Sequence, residues 1–127
     1  MFAESMSDSG PSDPVLLWFN GGPGCSSLEG FFVENGPVIV DSKTGTVGTN
    51  PFPWNKRANV IYLESPAGVG YSIAMTDQDT NHNDYSQSVD AFAALEAFFE
   101  RFPEYLDNNL FISGESYAGV YVPYLSW

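Results

Sequence analysis

The sequence predicts an α/β protein, a mixed sheet with flanking helices, and three observations point there. Val15–Phe19 and Asn59–Leu63 are short apolar runs without polar alternation, as in strands covered on both faces. From about Tyr85 to Phe102 apolar residues recur at spacings of three and four, the period of a helix with one covered stripe. Leu110–Ile112 is a further short apolar run that stops at a turn rich in Gly and Ser. Strand, helix, strand and turn in that order make a βαβ unit.

Taken in order, the first 14 residues are polar and acidic, without the basic flank and apolar stretch of a signal peptide. Asn20-Gly-Gly-Pro-Gly24 stops the first strand, because proline cannot donate to the ladder and the glycines around it weaken a strand. Phe31–Val40 and the turn at Asp41–Gly48 are expected to be hairpin or connecting material. The second strand should end at Ser65-Pro66-Ala67-Gly68. Thr76–Asp84 reads as an exposed polar loop carrying the single histidine, His82. Asp84 is expected to cap the helix, with Gln87 returning the contact as in a capping box. Val89, Phe92, Leu95, Phe99 and Phe102 should form the stripe that packs on the sheet, and Pro103 limits the helix. No internal repeat divides residues 1–127.

Composition excludes several functions. At 127 residues the chain is one domain or part of one, and 43% hydrophobic with 16% aromatic residues suits a packed core rather than disorder. Four Lys+Arg against 16 Asp+Glu give a net charge of −12, which repels phosphate backbones, so nucleic acid and anionic membrane surfaces are poor partners. No apolar run is long enough to span a bilayer. Gly68-Val-Gly70 lacks the third glycine of a dinucleotide fingerprint, and there is no Walker-type phosphate loop. One Cys and one His make no zinc site, and the acids lack the spacing of a calcium loop, so no metal or cofactor is expected.

The chemistry concentrates in Gly114-Glu-Ser-Tyr-Ala118, directly after an apolar strand. Small residues flanking a serine on a strand-to-helix turn present the hydroxyl as an exposed nucleophile, here Ser116. Ala118 stands where the strict pattern has glycine, a departure of one methyl group. Taken alone, the pentapeptide is equally an ordinary glycine-rich turn. Acyl transfer also needs two N–H donors for the oxyanion, one following the nucleophile and one from a loop after an earlier strand. Tyr117 supplies the first by position, and the Asn20–Gly24 loop is a natural source of the second.

Leu17-Trp-Phe-Asn-Gly-Gly-Pro-Gly-Cys-Ser-Ser-Leu28, Glu64-Ser-Pro-Ala-Gly-Val-Gly-Tyr-Ser72 and Gly114-Glu-Ser-Tyr-Ala-Gly119 resemble, in the same order, the signature segments of the serine carboxypeptidase family. Asn50-Pro-Phe-Pro-Trp-Asn55 and Arg101-Phe-Pro-Glu-Tyr105 are also similar to that family, so the resemblance covers nearly the whole chain. It implies an α/β-hydrolase fold and an exopeptidase that takes the C-terminus of peptides or proteins as substrate. It also implies a secretory, vacuolar or lysosomal home. By the same resemblance Ser116 is the nucleophile and Gly22 and Tyr117 are the oxyanion donors. Asn20, Gly21, Glu34 and Glu115 hold the substrate's terminal carboxylate, with Trp18 in support, and Cys25 loses the downstream cysteine with which it would pair. Two carboxyls sharing one site do not both ionise cheaply, so Glu34 and Glu115 predict a preference for acid.

The catalytic Asp and His of this fold follow the serine, and Tyr117–Trp127 contains neither. His82 lies upstream and is not expected to be the base. The expectation is therefore a partial α/β-hydrolase domain over 1–127, interrupted after the nucleophile elbow and lacking its first strands. Cys25 should be a free thiol, since no second cysteine is present. An acyltransferase of the same family and a non-catalytic fragment remain alternatives; side-chain preference and oligomeric state are not legible.

Overall fold

The computed structural model describes residues 1–127. A four-stranded sheet is formed by β1 (Phe2–Ala3), β2 (Val15–Phe19), β5 (Asn59–Tyr62) and β6 (Leu110–Gly114), while β3 (Val38–Val40) and β4 (Val47–Thr49) make a separate antiparallel hairpin. The sheet order is β1-β5-β2-β6. β2 is parallel to both its neighbours and β1 is antiparallel to β5, so the sheet is mixed as the sequence predicts. Helix α1 (Asp84–Arg101) carries the chain from β5 across to β6 with β2 lying between, and α2 (Ala118–Ser126) follows the turn after β6. No helix is long and apolar enough to cross a membrane.

β2 and β5 are central because their apolar side chains are covered on both faces. Val15, Leu17 and Phe19 point to one side and pack with Ile61, Ala91, Leu95, Ala118 and Tyr121. Trp18 points to the other and joins Val60, Tyr62 and Phe31. The parallel register sets Trp18 beside Tyr62 on one neighbour and Phe19 beside Gly114 on the other. The loops leaving the three parallel strands therefore emerge at one end of the sheet, where open α/β sheets bind ligands.

Three expectations are corrected. The helix cap is Asn83: its side chain accepts the Ser86 N–H at 2.8 Å, and Ser86 Oγ accepts the Asn83 N–H at 3.0 Å. Asp84 is thus the first helical residue, and Gln87 is buried with its amide N–H donated to Ser65 Oγ at 2.9 Å. The covered line of α1 runs through Gln87, Ser88, Ala91 and Leu95; of the expected stripe Leu95, Phe99 and Phe102 pack with the core, whereas Val89 and Phe92 are exposed. Small residues let the helix lie close to its neighbours, and the larger pair is turned outward. His82 is only 15% exposed at its side chain, with Nε2 3.0 Å from the Ala67 carbonyl oxygen, so it is not a free loop residue.

Boundaries also move slightly. The strand expected to reach Leu63 ends at Tyr62, the one expected to end at Ile112 runs on to Gly114, and α1 stops at Arg101 with Phe102 as its C-cap. Within Phe31–Val40 the connection contains a π-helical turn, Gly30–Glu34, closed by the Asn35 N–H donating to Gly30 O at 2.9 Å.

Candidate active site

Ser116 sits on the turn between β6 and α2, exposed, with φ +56°, in the left-handed region that non-glycine residues rarely adopt. Such a conformation costs about 1–3 kcal/mol and persists only where surrounding contacts hold it. Here the Glu115 N–H donates to Phe19 O at 3.1 Å, while the Ala118 and Gly119 N–H groups donate back to Glu115 O and Ser116 O at 2.9 and 3.0 Å. Side chains are excluded at two points. A Cβ on Gly114 would lie 2.4 Å from Phe19 O and 2.5 Å from Ala118 Cβ. A Cβ on Gly21 would lie 2.5 Å from Tyr117 N and 2.8 Å from Glu115 O. Ala118 is fully buried beneath the turn, so the residue that departs from the strict pattern fills the core without blocking the elbow.

The Gly21 contact brings the Asn20–Gly24 loop against the nucleophile turn. The Tyr117 N–H beside Gly21 and the N–H of Gly22 take part in none of the backbone or side-chain hydrogen bonds around them, which leaves both as donors. Cys25 is exposed and free, as expected of a lone cysteine, and packs beside Gly22.

Next to this pair lies a network centred on Asn20, which is 1% exposed. Its Oδ1 accepts from Trp18 Nε1 at 2.8 Å and from the Gly30 N–H at 3.0 Å. Its Nδ2 donates to Glu34 Oε1 at 2.8 Å and to Glu115 Oε1 at 3.2 Å, and its own N–H reaches Ser27 Oγ at 3.2 Å. The sequence-predicted Trp18, Asn20, Glu34 and Glu115 are therefore brought together, although Glu34 and Glu115 are 81 positions apart (115 − 34). Burial pushes the Glu34 carboxyl above the ordinary range, with the negative charges of Glu115 and Glu29 adding to it and the Asn20 amide opposing. A carboxyl that keeps its proton is able to donate a hydrogen bond to an anionic ligand.

Sequence reasoning missed the residues that aim these groups. The π-helical turn directs Glu34, and its far end is fixed by Asn50 Nδ2, which donates to Glu34 O at 3.1 Å and Gly36 O at 3.0 Å. Buried Tyr62 donates to Asn35 Oδ1 at 2.9 Å, and Trp54 packs edge-on against Trp18 at 5.1 Å between ring centroids. Ser26 Oγ and the Tyr71 N–H both donate to the buried Glu64 carboxylate, joining the loop after β2 to the loop after β5. Most of these residues lie in or beside the segments singled out above, but nothing in their spacing distinguishes a supporting role from a surface one. His82 makes its contacts with Ala67 and, at 4.0 Å, Asp90, and makes none with Ser116.

The model of a family described as serine carboxypeptidase matches residues 1–127. The lysosomal protective protein of Mus musculus is 50% identical over 125 residues, covering 98% of this chain and 26% of that protein. A carboxypeptidase Y homolog of Leptosphaeria maculans is 48% identical over 122 residues, covering 96% and 22%. Among solved structures, a prohormone-processing carboxypeptidase of Saccharomyces cerevisiae superposes with a TM-score of 0.84 at 31% identity, covering 98% of this chain and 27% of that one. The chain thus spans about a quarter of the length of the relatives it matches.

Proposed function

The chain belongs to the serine carboxypeptidase family, and from that membership we propose that its residues form the nucleophile, oxyanion and carboxylate-binding parts of an enzyme that hydrolyses the C-terminal peptide bond of peptides and proteins. Ser116 Oγ attacks the scissile carbonyl carbon. The N–H groups of Gly22 and Tyr117 receive the negative charge that develops on its oxygen. Collapse of the tetrahedral intermediate leaves an acyl-enzyme ester on Ser116 and releases the C-terminal amino acid; water then cleaves the ester. The general base that takes the Ser116 proton, and the acid that orients it, come from residues outside these 127, and 1–127 is part of one α/β-hydrolase domain.

Exopeptidase specificity comes from the carboxylate site. Asn20, Gly21, Glu34 and Glu115 hold the terminal carboxylate of the substrate, and Trp18 holds Asn20. The substrate is hydrogen-bonded by a carboxyl that keeps its proton to higher pH than an ordinary glutamate, which favours acidic compartments of the secretory pathway, vacuole or lysosome. The Gly21–Tyr117 contact supports this reading most directly, because it brings the loop that carries Gly22 against the turn of a serine at positive φ.

The test is labelling with a fluorophosphonate probe of the 127-residue chain and of a form continued past Trp127, each beside Ser116→Ala. Labelling of the continued form alone, abolished by the substitution, is the expected result. Labelling of the short chain would show that another group activates Ser116, and absence of labelling in both would overturn the assignment of the nucleophile.

A further inference from the structure

We propose that Asp84, in the first turn of α1, is a positioning residue that holds Tyr117 so that its N–H faces the oxyanion formed at Ser116. The inference rests on the reading of Ser116 and Tyr117 given above.

Tyr117 is the cap residue of α2 and follows a residue with positive φ. The turn hydrogen bonds from Ala118, Gly119 and Val120 use the carbonyl oxygens of Glu115, Ser116 and Tyr117, and because the Ser116 C=O and the Tyr117 N–H share one planar peptide, the Gly119 bond sets the line of that N–H. The Tyr117 side chain anchors the peptide where it stands. The phenol OH donates to Asp84 Oδ1 at 2.9 Å, and the ring meets Tyr121 edge-on with centroids 5.4 Å apart. Tyr121 OH in turn accepts the Gly24 N–H at 3.3 Å, two residues beyond the other oxyanion donor. The two donors are thus joined by a chain of side chains as well as by the Gly21 contact.

Asp84 is itself held in place. The Asn83–Ser86 capping box fixes the turn it occupies, Gln87 reaches Ser65 Oγ at 2.9 Å, and His82 reaches Ala67 O at 3.0 Å. The start of α1 is therefore pinned to the loop after β5. Asp84, Tyr117, Tyr121, Pro23 and Pro66 face one another across a cleft of about 260 Å³. The hydrogen bond to Asp84 is also the chief cause that holds the Tyr117 phenol above its ordinary range, so it remains a donor at acid and neutral pH.

The experiment measures kcat and KM for an N-blocked dipeptide, using the form of the protein that labels at Ser116. It compares the parent with Asp84→Ala, Tyr117→Phe, the double variant and Asp84→Asn, and follows folding by circular dichroism. Asp84→Ala and Tyr117→Phe are each expected to lower kcat about tenfold, with KM within about twofold, because misdirection of one donor weakens transition-state stabilisation without touching the carboxylate site. The double variant should fall no further than either single one, since both remove the same bond. Asp84→Asn, whose amide oxygen still accepts the phenol, should stay within about twofold of the parent. Parent-like kcat in Asp84→Ala, multiplied losses in the double variant, or a fall in kcat that follows loss of helical signal would each overturn the inference. A parent that neither labels nor turns over overturns the reading of Ser116 and this inference together, whereas an active parent with indifferent variants overturns the tether alone.

Discussion

Strands β2 and β6 pair in register and both end on site residues, but within residues 1–127 one is enclosed and the other is not. Val15, Leu17 and Phe19 of β2 are fully buried, and the Asn20–Gly24 loop that follows is held by Trp18, Ser27 and Gly30. No residue of β6 is buried, and Leu110 and Phe111 are 41% and 54% exposed. Within residues 1–127 the nucleophile turn is held by β2, through the Phe19 carbonyl and the Gly21 contact, and by α1 through Asp84. The carboxylate half of the site is held by its own hydrogen-bond network, and the nucleophile half is held by its neighbours.

That difference is most sharply broken at Gly21. Gly21→Ala forces a methyl group into the Tyr117 N–H and Glu115 carbonyl, and fluorophosphonate labelling of Ser116 is expected to slow about 10³-fold. Gly119→Ala, where a Cβ meets nothing within 4 Å, should label at the parent rate. Equal rates in the two variants would mean that the elbow is not held from β2.

A smaller effect compares the strands themselves by urea unfolding. In the 127-residue chain Leu17→Ala, at a fully buried position, should cost about 3 kcal/mol, and Phe111→Ala on the open strand less than about 1 kcal/mol. Similar losses would show that β6 is as enclosed as β2.

The smallest effect concerns pH. With its carboxyl raised by burial, Glu34 stays protonated above the ordinary glutamate range, and the stability this proton contributes is present at low pH and lost as pH rises through the raised value. KM for a blocked dipeptide should rise a few-fold over the same window, because the ionised Glu34 no longer donates to the substrate carboxylate and repels it instead. Glu34→Gln keeps the acceptor for Asn20 and removes the titration, so both pH slopes should flatten. Slopes unchanged in this variant would assign the dependence to another group.

Much of this was legible before folding. An unbroken apolar run such as Val15–Phe19 has one economical place, the sheet interior, and a serine between Gly114 and Ala118 after a strand specifies a sharp turn. The helix was legible in existence and length and in the later half of its covered face, Leu95, Phe99 and Phe102, but its cap and the first half of that face were not. Asn83 and Asp84 are both able to cap, and only the backbone conformation chooses Asn83. The three-and-four spacing names a stripe through Val89 and Phe92, but packing against β2 and α2 requires the smaller Ser88 and Ala91.

The strands, the elbow, the family resemblance and the types of side chain available for chemistry can be read along the chain, because they depend on local periodicity and on the steric needs of short turns. Folding is what brings Asn20 against both Glu34 and Glu115, aims Glu34 by a π-helical turn and sets Asp84 against Tyr117. Those contacts join residues far apart in the chain. Their geometry is set by strand register and helix packing, which no local pattern encodes.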